Sequence, residues 1–181
     1  PSIILPDTTY YTKDKEKGQE LLQKWREMQE KLLEKFHFSK EETKDTLDKV
    51  LELDAKVAQY VLSSEEASEY VKLYHPYQWE DFKALAPELP LASIFTNILG
   101  QEPDKVIVPE ERFWTEYAKD YYSEQNWSLL KAKLVLYATG AWNGFLSDEI
   151  RVLSGEYGRI LSGTPLSLIH ISEPTRLQLI S

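Results

Sequence analysis

The 181-residue sequence predicts an all-α chain. Three observations carry that expectation. Apolar residues recur three and four positions apart over long stretches, the spacing of one helix face. Two S-x-x-E capping boxes, Ser39 with Glu42 and Ser63 with Glu66, stand ahead of such stretches. Lys105 to Val108 is the best strand candidate and is only four residues long, so at most one or two very short strands are expected among the helices.

In order along the chain, Ile3-Ile4-Leu5 with Pro6-Asp7 reads as an extended lead-in closed by a turn. A first helix is expected from about Asp14 to Phe36, striped by Leu21, Trp25, Met28, Leu32 and Phe36. Glu20 with Lys24 and Glu27 with Lys31 support it as acid-first i,i+4 pairs. The Ser39 box opens a second helix whose stripe runs through Leu47, Val50, Leu51, Val57, Ala58, Val61 and Leu62. Its wet face repeats the pairing with Asp45–Lys49 and Glu52–Lys56. Ser63 restarts the chain as a third helix ending near Tyr74, because the residue before Pro76 is pushed out of the α region. A short helix follows around Trp79 to Ala86. Pro90 suits the first position of another, with Gly100 as its C-terminal cap. Pro109-Glu110-Glu111 starts a helix carrying Phe113, Trp114, Tyr117, Tyr121 and Tyr122, its acids at the positive end of the dipole. Trp127 to Leu146 holds no acid and is apolar on most sides, so it is expected as a buried central helix. Asp148 to Leu161 is a last amphipathic helix, stopped by Ser162-Gly163.

After Thr164-Pro165 the character changes. Leu166 to Ile171 reads locally as a weak strand, but Leu166 to Arg176 is similar to the frame translation of a transposase adapter used in DNA library preparation. Two units are therefore expected: residues 1–165, a partial helical domain, and residues 166–181, an adapter translation set aside from fold and function. With no initiator Met at Pro1, the chain is expected to be truncated.

Composition narrows the partners. Hydrophobic residues at 42% supply enough apolar surface for a core. A net charge of −9 argues against a nucleic-acid partner and against docking on an anionic membrane. The absence of cysteine removes disulfides and thiolate metal sites; it fits a reducing compartment and equally an exported bacterial protein, and the cytoplasm is the expected location. No apolar run approaches the roughly 20 residues of a membrane span.

Chemistry is sparse. The histidines are His37, His75 and His170, and no two lie close enough for H-E-x-x-H. His37, at a helix end, is expected to cap or face water; His75, in an aromatic turn, is expected to pack. G-x-S-x-G and the phosphate-cradling glycine patterns are missing. The acid pairs Glu41-Glu42, Glu65-Glu66 and Glu110-Glu111 could serve as general acid and base, but each falls in a first helical turn, where carboxylates stabilise the dipole. The aromatic set Phe113, Trp114, Tyr117 and Tyr121 could stack on a ligand, yet its helical spacing reads as core. No catalytic residue and no metal ligand is therefore assigned, and substrate-binding residues stay unknown.

Several segments in order resemble the neprilysin family of zinc metalloendopeptidases, in its N-terminal region and most closely its bacterial oligopeptidase O branch. They are Leu5-Pro-Asp-Thr-Thr-Tyr-Tyr11, Lys49-Val-Leu-Glu-Leu-Asp-Ala-Lys-Val-Ala58, Tyr74-His-Pro-Tyr-Gln-Trp79 and Val106-Ile-Val-Pro-Glu-Glu-Arg-Phe-Trp114, then Glu149 to Gly155 and Tyr157 to Pro165. The resemblance implies a two-lobed enzyme cleaving oligopeptides, with this stretch in the helical lobe that covers the cavity. Its zinc ligands, general-base Glu and Asn-Ala motif would lie downstream, in a catalytic lobe missing here. Zinc is then expected in the full-length enzyme and none in this fragment. A stand-alone all-α protein–protein interaction module is the rival reading.

Overall fold

The computed structural model describes residues 1–142 and 145–163. The expected strand at Leu166 to Ile171, His170 and the 166–181 segment lie outside the described residues.

The frame is a helical hairpin with a third long helix laid on it. A one-turn helix, α1 (Thr9–Thr12), leads into α2 (Lys15–Lys35), and the Ser39 box opens α3 (Lys40–Val57). Arg26 reaches across from the middle of α2 to Asp48 in α3 at 2.7 Å, as an antiparallel pair requires. Leu33 and Leu47 meet between the two helices with no exposed surface. Burying each contributes about 1.5–3 kcal/mol. The outer faces carry the expected i,i+4 pairs, including Glu20–Lys24, Asp45–Lys49 and Glu52–Lys56.

The third helix is shorter than expected. α4 (Ser64–Ser68) keeps its capping box but stops at Glu69, and Tyr70–Leu73 is a turn of 3-10 helix. The chain must straighten before Pro76, because β1 (Pro76–Gln78) pairs antiparallel with β2 (Lys105–Ile107), Tyr77 opposite Val106. β1 is the strand that sequence reasoning did not place. Between the strands lie α5 (Trp79–Ala84) and α6 (Leu91–Leu99), the latter ended by Gly100 at φ 81°.

The aromatic helix is broken. α7 (Glu111–Glu116) and α8 (Ala118–Tyr121) meet at Tyr117, whose φ of −133° leaves the helical range. The break turns the Tyr117 ring flat onto Tyr60, centroids 4.5 Å apart. Phe113, Tyr117 and Tyr121 are buried with Leu53 and Val57 of α3 in one core cluster, as the core reading expects.

α9 (Trp127–Trp142) corrects the largest expectation. It packs on α3, but only Leu129 and Ala132 are buried, and its other side lies open to water. The last amphipathic stretch is two helices, α10 (Asp148–Ser154) and α11 (Glu156–Ser162), parted at Gly155. The all-α class with two three-residue strands holds.

Candidate functional site

A buried acid is built into α3. Asp54 falls at the stripe positions 47, 50, 54, 57 and 61, so the helix that buries Leu47 and Val57 also buries an acid. The Ile4 N–H donates to its Oδ1 at 2.8 Å, and the Tyr11 hydroxyl of α1 donates to Oδ2. Tyr157 of α11 donates to the Ile4 carbonyl at 3.1 Å. The lead-in strand of chain is thus clasped between the third and the last helix. An acid on an apolar stripe is the one mark that the sequence carries of this site.

Burial pushes the Asp54 carboxyl above its ordinary value, opposed by the Tyr11 hydroxyl and the Ile4 N–H. Burial and the bond to Asp54 push Tyr11 far up, and burial takes Tyr157 up to about 12. Lys133 of α9 is lowered by burial, with Asp54 holding it back. Asp54 is 7% exposed with donors on both oxygens. A substrate has no approach to it. The clasp holds the fold together.

The residues singled out in the sequence are scattered over other tasks. His37 follows α2 at φ 65° in water, its N–H donating to Glu34 at 2.9 Å. His75 lies with Nδ1 3.3 Å from the Val108 carbonyl and Nε2 3.2 Å from Glu111, which also accepts the Tyr77 hydroxyl at 2.8 Å. These bonds tie the strand pair to α7. Glu42 and Glu66 close their capping boxes on Ser39 and Ser63. Glu110 accepts the Leu62 N–H at 3.2 Å. Arg112, missed in the sequence, donates to the Val61 carbonyl at 2.7 Å and pairs with Glu66 at 3.3 Å, fastening α7 to α4 and the segment that leads into it from α3. Glu42, Glu66, Glu110 and Glu111 all bond within the fold.

Among the described residues, no group of three His, Cys, Asp or Glu is placed to hold a metal ion. No described helix is long and apolar enough to cross a membrane.

The model for the N-terminal region of peptidase family M13 matches residues 1–173. The chain belongs to family M13. A candidate zinc metalloproteinase of Streptococcus gordonii is 63% identical over 165 residues, covering 91% of this chain and 29% of that protein. The neutral endopeptidase of Lactococcus lactis subsp. cremoris is 35% identical over 162 residues, covering 90% and 25%. The chain therefore spans between a quarter and a third of the length of these M13 relatives. Among solved structures, PepO from Lactobacillus rhamnosis HN001 superposes with a TM-score of 0.81 at 26% identity, over 91% of this chain and 26% of that one. The Mycobacterium tuberculosis zinc metalloprotease Zmp1, in an open state, shares the fold at a TM-score of 0.71 and 18% identity, over 90% and 25%. The neprilysin-type resemblance is correct. The described side chains do not fit the zinc for which the S. gordonii and M. tuberculosis proteins are named, and no step runs through zinc on them.

Proposed function

We propose that this chain is the N-terminal part of a zinc metalloendopeptidase that cuts oligopeptides. It contributes helical wall to the lobe covering the cavity and carries no catalytic residue. The observation that carries this reading is the 63% identity along 91% of the chain to a protein of which it spans only 29%. The clasp, the paired acids and the engaged His75 support a structural task for this part. Its zinc ligands and its direct partner, the catalytic lobe, then belong to the rest of the M13 polypeptide. No membrane or nucleic-acid partner is assigned, and the cytoplasm is the proposed location, with the lack of cysteine as its support.

Residues 166–181 are read as adapter translation. Sequencing the source DNA beyond the Pro165 codon tests this: adapter codons support it, and a natural continuation without them sinks it.

The activity is tested by replacing the matched stretch of the S. gordonii protein with residues 1–165 and assaying oligopeptide hydrolysis with and without a chelator. Chelator-sensitive hydrolysis by the chimera, and none by the isolated chain, is expected. Activity in the isolated chain, or a folded but inactive chimera, would overturn the reading.

A further inference from the structure

We infer that the outward face of α9 is the seam on which the rest of the M13 polypeptide packs, an inference that rests on the functional reading above. Trp127, Leu134, Tyr137, Trp142 and the following Phe145 are between 61% and 82% exposed. Their spacing sets them along one side of a helix about 24 Å long. Trp142 and Phe145 already touch, ring centroids 5.9 Å apart, which continues the apolar surface past the helix end. Lys131 is the one charged residue interrupting the stripe, and α9 contains no acid.

The same molecule shows how it builds faces meant for water. α2 and α3 turn charged residues outward and couple them through Glu20–Lys24, Asp45–Lys49 and Glu52–Lys56. α9 has no such ladder. Its inward side joins both main clusters through Leu129 and Ala132. A helix apolar on both sides belongs between two layers, and this chain supplies one of them.

The missing layer has a definite source. The chain spans 29% of its S. gordonii relative, so most of an M13 polypeptide lies outside it. Tyr157 of α11 sits in the same cluster as Ala132 and Leu136 of α9, so within the described residues α11 packs on the inward side of this helix and leaves the outward face open. The occupant is an apolar face of that C-terminal remainder.

Leu134→Glu and Tyr137→Glu test the seam in two settings, the isolated chain and the S. gordonii chimera. Glutamate is a good helix former, so α9 itself tolerates it. In the isolated chain at low concentration, the melting temperature is expected to stay unchanged, because the face is already in water. In the chimera, melting is expected to drop and chelator-sensitive hydrolysis to be lost, because a carboxylate is driven into the seam. Unchanged melting in both settings would assign the face to an open cavity wall and overturn the inference. Lowered melting in both would show that the chain covers the face itself, which also overturns it. A chimera that dimerises, and that either variant turns into a stable active monomer, would hand the face to a second copy. If the unsubstituted chimera folds but is inactive, the endopeptidase reading falls, and the melting comparison still decides the seam.

Discussion

Asp54 occupies a helix position whose spacing assigns it to the core, and its surroundings supply two donors instead of water. Removing one of them exposes the value of the arrangement. Tyr11→Phe takes the hydroxyl from a buried carboxylate, and a hydrogen bond to a charged group contributes about 1.5–3 kcal/mol. The urea midpoint should fall accordingly; an unchanged midpoint would mean that the clasp is not formed in solution. The pH response has a definite sign. Burial sets the folded pKa of Asp54 above its unfolded value, so between the two the folded chain binds more protons. Asp54 thus adds stability as pH falls from neutral through its folded pKa. Asp7, Asp48, Glu42 and Glu66 act oppositely: bonds from Ser64, Lys44, Ser39 and Ser63 lower them, and their stabilisation is lost in acid. Asp54→Asn should therefore make stability decline more steeply on acidification than in the parent, compared by urea titration at about pH 7 and about pH 5. Parallel declines would contradict the assignment.

Helix ends were the most legible elements, because capping chemistry is local. Ser39, Ser63 and Gly100 act where their residue types place them, and α2 begins and ends within one residue of its expected bounds. Interruptions caused by distant partners were not legible. The break at Tyr117 depends on Tyr60, and the end of α4 depends on a strand pair closed by residues 105–107. Two substitutions separate local from tertiary control. Gly18→Ala gains about 1 kcal/mol of helix propensity in α2. Its methyl, however, would stand 2.2 Å from the Tyr10 carbonyl oxygen and force the lead-in segment aside. Overpacking costs about 1–3 kcal/mol, so the urea midpoint should fall; a rise would show that the close approach is absent. His37→Gly should raise it, since His37 holds φ 65° and relief there is worth up to about 1 kcal/mol. No gain would mean that the side chain makes a compensating contact.

At the scale of the whole molecule, the apolar pattern of α9 exceeds what the described residues bury, and under the seam proposed above the rest of an M13 polypeptide covers the open side of this helix. The clasp was not legible, because its geometry needs Ile4 and Tyr157, which lie 153 residues apart. With α9 uncovered, the isolated chain should self-associate with rising concentration in light scattering, and Leu134→Glu should suppress it; a monomer at all concentrations would count against an unpartnered face. The most direct test is the zinc bound per polypeptide, measured on the purified chain and on the S. gordonii chimera. The expected result is none on the isolated chain and one equivalent on the chimera, whereas a full equivalent on the isolated chain would contradict a non-catalytic part of an M13 enzyme.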